Sequence, residues 1–253
     1  SPTTNPCRLC APLGASLAVR GIERAMPILH GSQGCATYIR RYLVSHFREP
    51  VDVASSSFGE QAAIFGGADN LMAALDNVAQ RYRPSLIAVA TTCLAETIGD
   101  DVKAILGQWH RRRGPEAPAT IHVATPAYAG SHTEGFYATV LALVQQLAVA
   151  GPPSEQVNVL PPFGASPADL RALRKLLADF GLRAVLIPDW SETLDGGVWD
   201  DYHEIPPGGT PLQSLRETAA ARATLTLYRL PRKSQASLGS LRGERGAASS
   251  VGR

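Results

Sequence analysis

The stretch that decides the fold is Ser85-Leu-Ile-Ala-Val-Ala90, which runs directly into Thr91-Thr-Cys93. A short, continuous apolar run of this kind is typical of a strand that is buried on both faces of a parallel sheet. The acidic segment Glu96-Thr-Ile-Gly-Asp-Asp101 follows it, and residues 102–109 have helical periodicity. We therefore predict a buried strand, a loop and a helix in this order.

The same strand and helix pattern recurs further along the chain. Further strands are predicted at 119–124, 157–160 and 184–187, and helices at 134–150 and from Ser166 to Gly181. Ser166 is a favourable N-cap and Pro167 a favourable first residue for the last helix, and its predicted apolar face is Leu170, Leu173, Leu176 and Leu177. Repeated units of this kind predict an α/β fold with Rossmann-like, doubly wound parallel sheets. Ligands bind such sheets at the carboxyl ends of strands, where Cys93 falls.

The pattern also predicts how the chain is divided. Gly151-Pro-Pro-Ser154 ends one helical segment, so residues 1–150 are predicted to form a complete α/β domain. Residues 151–227 are predicted to form a partial second domain, because only about two strands precede Ile205-Pro-Pro-Gly-Gly-Thr210. Residues 228–253 are rich in Arg, Ser, Gly and Ala without periodicity, and we predict a disordered basic tail there.

Composition excludes several classes of function. The chain has 253 residues with 24 basic and 22 acidic side chains, so its formal net charge of +2 does not favour nucleic acid or a membrane surface as the main partner. No uninterrupted apolar run is long enough to span a bilayer, and the first residues lack the pattern of a signal peptide. With only four cysteines, the chain is expected in the cytoplasm or another reducing compartment.

Three cysteines stand out because each lies where an apolar segment meets a turn. They are Cys10, Cys35 in His30-Gly-Ser-Gln-Gly-Cys35, and Cys93. Thiolates from separate loops are what an iron–sulfur cluster needs, although each cysteine taken alone could be a small buried apolar residue. Cys7 and Cys10 form Cys-x-x-Cys, which could be a redox pair or half of a zinc site. No second pair follows at zinc spacing, so a spare or buried thiol is favoured for Cys7.

Other polar residues and glycines near the cysteines have two possible roles. The three histidines His30, His46 and His132 could tune a cluster, but structural roles are favoured for them. Glu60 and Glu96 could likewise either tune a cluster or have a structural role. The paired glycines of Gly31 to Gly34 and of Gly66-Gly67 predict tight turns rather than a nucleotide site, because no phosphate-binding motif occurs.

The segments around the cysteines resemble one protein family. These segments are Asn5-Pro-Cys-Arg-Leu-Cys-Ala-Pro-Leu-Gly-Ala15, His30-Gly-Ser-Gln-Gly-Cys35, His46-Phe-Arg-Glu-Pro50, Ser55-Ser-Ser-Phe58, Phe65-Gly-Gly67, Thr91-Thr-Cys93 with Glu96-Thr-Ile-Gly-Asp-Asp101, and Thr125-Pro126 with Gly130-Ser-His132. They are similar to beta-type subunits of the nitrogenase component 1 family, which include the catalytic beta subunit NifK and the paralogous cofactor-maturation scaffold NifN. The resemblance runs from about residue 5 to residue 227.

The resemblance implies the cofactor and the partners. Cys10, Cys35 and Cys93 match the three positions at which the beta subunit supplies thiolates to an interfacial cluster. This cluster would be an eight-iron P-cluster or a smaller 4Fe-4S cluster, shared with an alpha-type partner in an α2β2 heterotetramer. The nitrogenase iron protein would be the electron donor. Ala127 stands where some catalytic beta subunits carry a serine that ligates the oxidised cluster, so that contact is expected to be absent.

The resemblance leaves the chain's role open between enzyme and scaffold. The segments Ser191-Glu-Thr-Leu-Asp-Gly196 and Gly208-Gly-Thr-Pro-Leu212 favour a NifN-like scaffold that holds the iron–molybdenum cofactor precursor with its partner. All three cysteines are kept, which favours the alternative, an electron-relaying beta subunit of nitrogenase or a nitrogenase-like reductase. In either case no catalytic residue is expected in this chain. Because relatives continue into a third α/β domain, a truncated, non-functional copy is a further expectation.

Overall fold

The computed structural model describes residues 9–49, 51–195 and 203–228. Cys7 and, apart from Tyr228, the predicted tail 228–253 lie outside the described residues. The helices are α1 (Ala11–Arg20), α2 (Gln33–His46), α3 (Glu60–Phe65), α4 (Ala68–Arg81), α5 (Cys93–Ile98), α6 (Val102–Arg113), α7 (His132–Leu147), α8 (Pro167–Asp179) and α9 (Leu212–Arg216). The strands are β1 (Ala25–His30), β2 (Ala54–Ser55), β3 (Leu86–Thr91), β4 (Ala119–Ala124), β5 (Ser154–Leu160), β6 (Arg183–Leu186) and β7 (Ala221–Thr226).

The first parallel sheet has the strand order β2-β1-β3-β4, and the apolar run from Ser85 to Ala90 forms most of its strand β3. Every residue of β3 is buried, as the continuous apolar run predicts. Leu29 pairs with Ala90 and His30 with Thr91, so β1 and β3 end side by side. The prediction of an α/β fold with parallel sheets is confirmed.

The first sheet is covered on both faces, because side chains alternate along β3. Leu86, Ala88 and Ala90 join the larger core cluster with α1 and α7, whereas Ile87 and Val89 join a second cluster against α4 and α6. Trp109 of α6 is fully buried in the second cluster. This arrangement of helices on two faces is the doubly wound packing that the sequence predicts.

A second parallel sheet has the strand order β6-β5-β7. Val159 in the middle of β5 pairs with Leu186 on one side and with Leu225 on the other. The larger core cluster includes Leu143 of α7 as well as Leu186, and therefore joins residues from both sides of position 150. The division into domains at 150 and 227 stays a prediction.

Helix α8 differs from the prediction on one residue. Ser166 and Asp169 form a capping box, and Leu170 and Leu177 are buried as expected. Leu176, in contrast, is 53% exposed and does not belong to the apolar face, so that prediction is wrong. The reason is angular, since adjacent residues lie about 100° apart on a helix and Leu177 already occupies the inward direction.

Helix length also bears on membranes. None of the helices in the described part of the chain is long and apolar enough to cross a lipid bilayer.

Candidate functional site

Cys35 and Cys93 lie at the carboxyl edge of the first sheet. Strand β3 ends at Thr91, and Cys93 begins helix α5 two residues later. Strand β1 ends beside it at His30, and Cys35 lies in the first turn of α2. Because neighbouring parallel strands end at one edge of the sheet, the fold brings these two cysteines to the place where α/β sheets bind ligands.

Cys10 reaches the site through contacts between α1 and α7. It precedes α1 and pairs with Ser131 in an isolated antiparallel bridge. The neighbouring Leu9 donates its N–H to Nδ1 of His132 at 3.3 Å, and the N–H of His132 donates to the Leu9 carbonyl at 2.8 Å. His132 therefore has a structural role, because it anchors the segment that carries Cys10.

Two glycines allow these helices to approach closely. A Cβ atom on Gly14 of α1 would lie 1.7 Å from the carbonyl oxygen of His132 in α7. A Cβ atom on Gly135 of α7 would lie 2.0 Å from the carbonyl oxygen of Ala11 in α1. No larger residue fits at either position without moving a helix backbone, so the glycine pair sets how far α1 lies from α7.

Cys35 interacts electrostatically with the thiols of Cys93 and Cys10. Burial raises the pKa of Cys35, and negative charge on Cys93 or Cys10 raises it further, while a hydrogen bond from Thr92 opposes these effects. Cys10 is exposed, and Cys35 and Cys93 are half-buried. The backbone N–H of Ala127 donates to Sγ of Cys93 at 3.2 Å. The fold thus places three free thiols within electrostatic reach of one another.

The donor set fits a polynuclear cluster better than one metal ion. Within residues 9–49, 51–195 and 203–228, no three His, Cys, Asp or Glu side chains come close enough to hold a single ion. A cluster of several irons holds its thiolates further apart, because each thiolate binds a different iron. Cys10, Cys35 and Cys93 each lie at the N-terminal end of a helix, so three separate segments of the chain supply the thiols. Thiolates are the ligands that iron–sulfur clusters use.

His30 is completely buried and hydrogen-bonded on both ring nitrogens. Its Nδ1 lies 3.0 Å from Oγ of Ser56, and its Nε2 lies 3.1 Å from Oδ2 of Asp100. The rings of His30 and Phe58 pack edge to face, with their centroids 4.9 Å apart. His30 is predictable from the sequence as a candidate residue, whereas Ser56 and Asp100 are not, although both lie in the segments that resemble the family.

The remaining candidate residues have different surroundings. His46 is exposed in the last turn of α2, beside the ring of Phe47. Glu60 is exposed in the first turn of α3, whereas Glu96 accepts a hydrogen bond from the hydroxyl of Thr91. The structure therefore places Glu96 close behind the cysteine edge of the sheet.

One glycine turn belongs directly to the cysteine site. Gly31 has a φ of 150°, and a Cβ atom there would lie 1.9 Å from Oγ1 of Thr92. The turn before α2 therefore packs against the turn before α5 with no space for a side chain. This contact supports the prediction of a tight turn at Gly31.

The buried His30 predicts a loss of stability in mild acid. Burial lowers its pKa, and the neighbouring Asp100 only partly opposes this. The unfolded chain then binds more protons than the folded chain. The free energy of unfolding therefore has its full value above about pH 6.5 and falls as the pH drops towards the folded-state pKa of His30. His122, whose pKa is lowered by burial and by Lys103, contributes with the same sign.

Denaturant unfolding from pH 7.5 to 5.5 measures this loss. We expect the free energy of unfolding to fall by up to about 1.4 kcal/mol per pH unit for each additional proton bound by the unfolded chain. The His30→Gln variant should show a shallower slope than the unchanged chain. Equal slopes in the two proteins would show that His30 is not responsible.

Comparison with known proteins identifies the family. The model of the nitrogenase component 1 type oxidoreductases matches residues 10–239 of this chain. The chain belongs to the nitrogenase component 1 family. The match includes all three candidate cysteines and both sheets.

Individual members of the nitrogenase component 1 family agree with this assignment. The nitrogenase molybdenum-iron protein beta chain of Clostridium pasteurianum is 40% identical over 225 residues, which cover 88% of this chain and 49% of that protein. The beta chain of the same name from Frankia alni is 37% identical over 235 residues, covering 89% and 44% of the two chains. The solved structure of nitrogenase Cp1 at pH 6.5 superposes with a TM-score of 0.83 at 40% identity, covering 87% of this chain and 48% of the other. The chain therefore spans about half the length of these relatives.

Proposed function

We propose that this chain is a beta-type subunit in which Cys10, Cys35 and Cys93 hold one side of an iron–sulfur cluster. The observation that carries the proposal is the convergence of these three free thiols at the N-terminal ends of α1, α2 and α5. The relatives that share the fold are named molybdenum-iron protein beta chains, which supports a P-cluster or a 4Fe-4S cluster. Three free thiols also suit a reducing compartment, and we propose the cytoplasm.

An alpha-type partner would complete the site. Cys10 is exposed, and exposed aromatic side chains lie near the other two cysteines. Tyr38 follows Cys35 by one turn of α2 and is 63% exposed, and Tyr128, next to Ala127, is 69% exposed. Exposed apolar groups beside half-open ligands are typical of a surface that a second protein covers. We propose a heterodimer that pairs into an α2β2 assembly, with the nitrogenase iron protein as electron donor.

The bound cluster would supply electron storage and transfer. This chain would contribute three thiolates and hydrogen bonds that offset part of their negative charge. The N–H of Ala127 donates to Sγ of Cys93 at 3.2 Å. Hydrogen bonds to cluster sulfurs are one means by which a protein sets a reduction potential. Substrate chemistry is assigned to the partner's side of the assembly rather than to residues of this chain.

The proposal has two versions, which differ in the process that uses the electrons. In the first, which the names of the relatives support, the chain relays electrons in a nitrogenase or a nitrogenase-like reductase. In the second, the NifN-like scaffold, the assembly holds the iron–molybdenum cofactor precursor during maturation. The sequence segments 191–196 and 208–212 support this second version. We retain a complete domain 1–150 and a partial domain 151–227 in both versions.

Anaerobic co-expression with an alpha-type subunit of the family tests the proposal. We expect the two chains to co-purify with stoichiometric iron and with an electron paramagnetic resonance signal after redox poising. A nitrogenase-like relay would then support substrate reduction with the iron protein, whereas a scaffold would transfer a molybdenum-containing cofactor to an apo-enzyme. Absence of both partner and iron in the purified chain would contradict the proposal and favour a non-functional copy.

A further inference from the structure

A chain of hydrogen bonds extends through the fold behind the cysteines. Gly31 donates its N–H to Oγ of Ser56 at 2.9 Å, and Ser56 lies 3.0 Å from Nδ1 of His30. On the other side of the ring, Nε2 of His30 lies 3.1 Å from Asp100. Asp100 also accepts the N–H of Gly67 at 3.0 Å. We call these five residues the His30 relay.

The relay has one consistent direction of donation. The Asp100 carboxylate can only accept, so Nε2 of His30 must carry the proton and donate it to Asp100. With Nε2 protonated in a neutral ring, Nδ1 is an acceptor and takes the hydroxyl proton of Ser56. The Ser56 oxygen is then free to accept from Gly31. Each polar atom in this buried chain has a partner of the matching type.

The turns that carry the two half-buried cysteines meet at His30. The carbonyl oxygen of His30 accepts from Thr92 twice, from its N–H at 3.0 Å and from its hydroxyl at 3.1 Å. Thr92 directly precedes Cys93, and the Gly31 turn leads into Cys35. The ring and backbone of His30 therefore hold the two cysteine turns together.

The other end of the relay lies beside an exposed helix end. Gly67 is itself buried and follows the C-terminal end of α3, where Ile64 and Phe65 are 72% and 85% exposed. A Cβ atom on Gly67 would lie 2.0 Å from the ring of Phe58, which packs against His30, and 2.9 Å from Asp100. A movement of this end of α3 would therefore be passed to His30 through Gly67, Asp100 and Phe58.

We propose that His30 and Asp100 are positioning residues that fix the turns of Cys35 and Cys93 and couple both to residues 64–67 at the end of α3. Cys10 is not part of this device, because α1 and α7 position it. The inference concerns the positions of the thiols, and only their use as cluster ligands rests on the proposed function. The reactivity of each thiol can therefore test it without iron or a partner.

The experiment measures iodoacetamide alkylation of the metal-free full-length chain, with the rate at each cysteine read by mass spectrometry. In Asp100→Asn the side-chain amide brings a donor to face either His30 or Gly67, and Ser56→Ala is a milder break of the relay. We expect both variants to raise the rates at Cys35 and Cys93 by roughly threefold or more, since a neutral hydrogen bond stabilises a local structure by about that factor and one to a charged group by more. The rate at Cys10 should stay unchanged.

Two further variants sharpen the result. Asp101→Asn makes the same chemical change one residue away, at the N-cap of α6 where Asn is also favourable, and should leave all three rates unchanged. Gly67→Ala displaces residues 64–67 and should change the alkylation rates at Cys35 and Cys93 but not at Cys10. Equal acceleration at all three cysteines, or no change in any relay variant, would overturn the proposal. A chain that never binds iron would still give a clear outcome, so failure of the proposed function is a separate result.

Discussion

Replacing Cys10, Cys35 or Cys93 with Ala, one at a time, is expected to remove most of the iron from the complex with the alpha-type subunit. A shared cluster is bound by thiolates from separate segments, and an alanine leaves one iron without its protein ligand. Cys35 interacts electrostatically with both Cys10 and Cys93, so loss of one thiol affects the site that the others share. Iron quantitation of the anaerobically purified complex, with electron paramagnetic resonance, measures the loss.

Cys7→Ala is the matched control for these variants. The sequence favours a spare or buried thiol at this position, so the variant should keep its iron. Loss of iron from Cys7→Ala would instead support the Cys-x-x-Cys alternative with Cys10. Retention of full iron in any one of the other three variants would remove that cysteine from the ligand set.

Gly14→Ala is expected to destabilise the fold by about 2–3 kcal/mol, at the upper end of typical overpacking costs. The added Cβ would lie 1.7 Å from the carbonyl oxygen of His132 and 2.7 Å from the backbone nitrogen of Phe136. Backbone atoms of a packed helix cannot yield as a flexible side chain does, so α1 must move away from α7. Since Cys10 directly precedes α1, the cysteine would be displaced with the helix. Denaturant unfolding measures the cost.

Gly107→Ala gives the matched control in another helix. Its Cβ would come within 3.5 Å of the Arg111 side chain, with no closer contact, so the site has room for it. Alanine is favoured over glycine inside a helix by about 1 kcal/mol, and this variant should be as stable as the parent or more so. A Gly14→Ala variant that matched Gly107→Ala in stability would contradict the account of α1 and α7 packing.

The sequence predicts best where one physical signal dominates. The run that became β3 is apolar throughout and fully buried, and the stretch that became β4 was predicted at its observed bounds. The start of α8 followed from Ser166 and Pro167, because an N-cap hydroxyl and a fixed proline φ act locally. Local signals of this kind need no knowledge of the rest of the fold.

Strands β1, β2 and β7 were not predicted from the sequence, and β1 and β7 show two different reasons. Strand β1 contains Pro27, which lacks a backbone N–H and argues against an interior strand. Its neighbour β2 pairs only with Ile28 and Leu29, so Pro27 lies past the end of that pairing. Strand β7 contains Leu225 as its one large apolar residue and is only half-buried at the sheet edge, which leaves little periodicity to detect.

The candidate site was only partly accessible from sequence. The cysteines could be named because their residue type and turn positions are unusual. His30 and Asp100 are 70 residues apart, and their pairing depends on how the loops after β1 and α5 meet. No local pattern encodes such a contact. The relatives' names, in turn, do not decide between the electron-relaying and the scaffold versions.

Cysteine protection during cluster assembly shows whether one cluster is held by all three cysteines. The complex with the alpha-type subunit is titrated anaerobically with iron and sulfide, and each thiol is then probed with iodoacetamide. The account predicts that Cys10, Cys35 and Cys93 become protected together, with one common dependence on bound iron. Protection of two cysteines while the third stays reactive, or protection in separate steps, would contradict it.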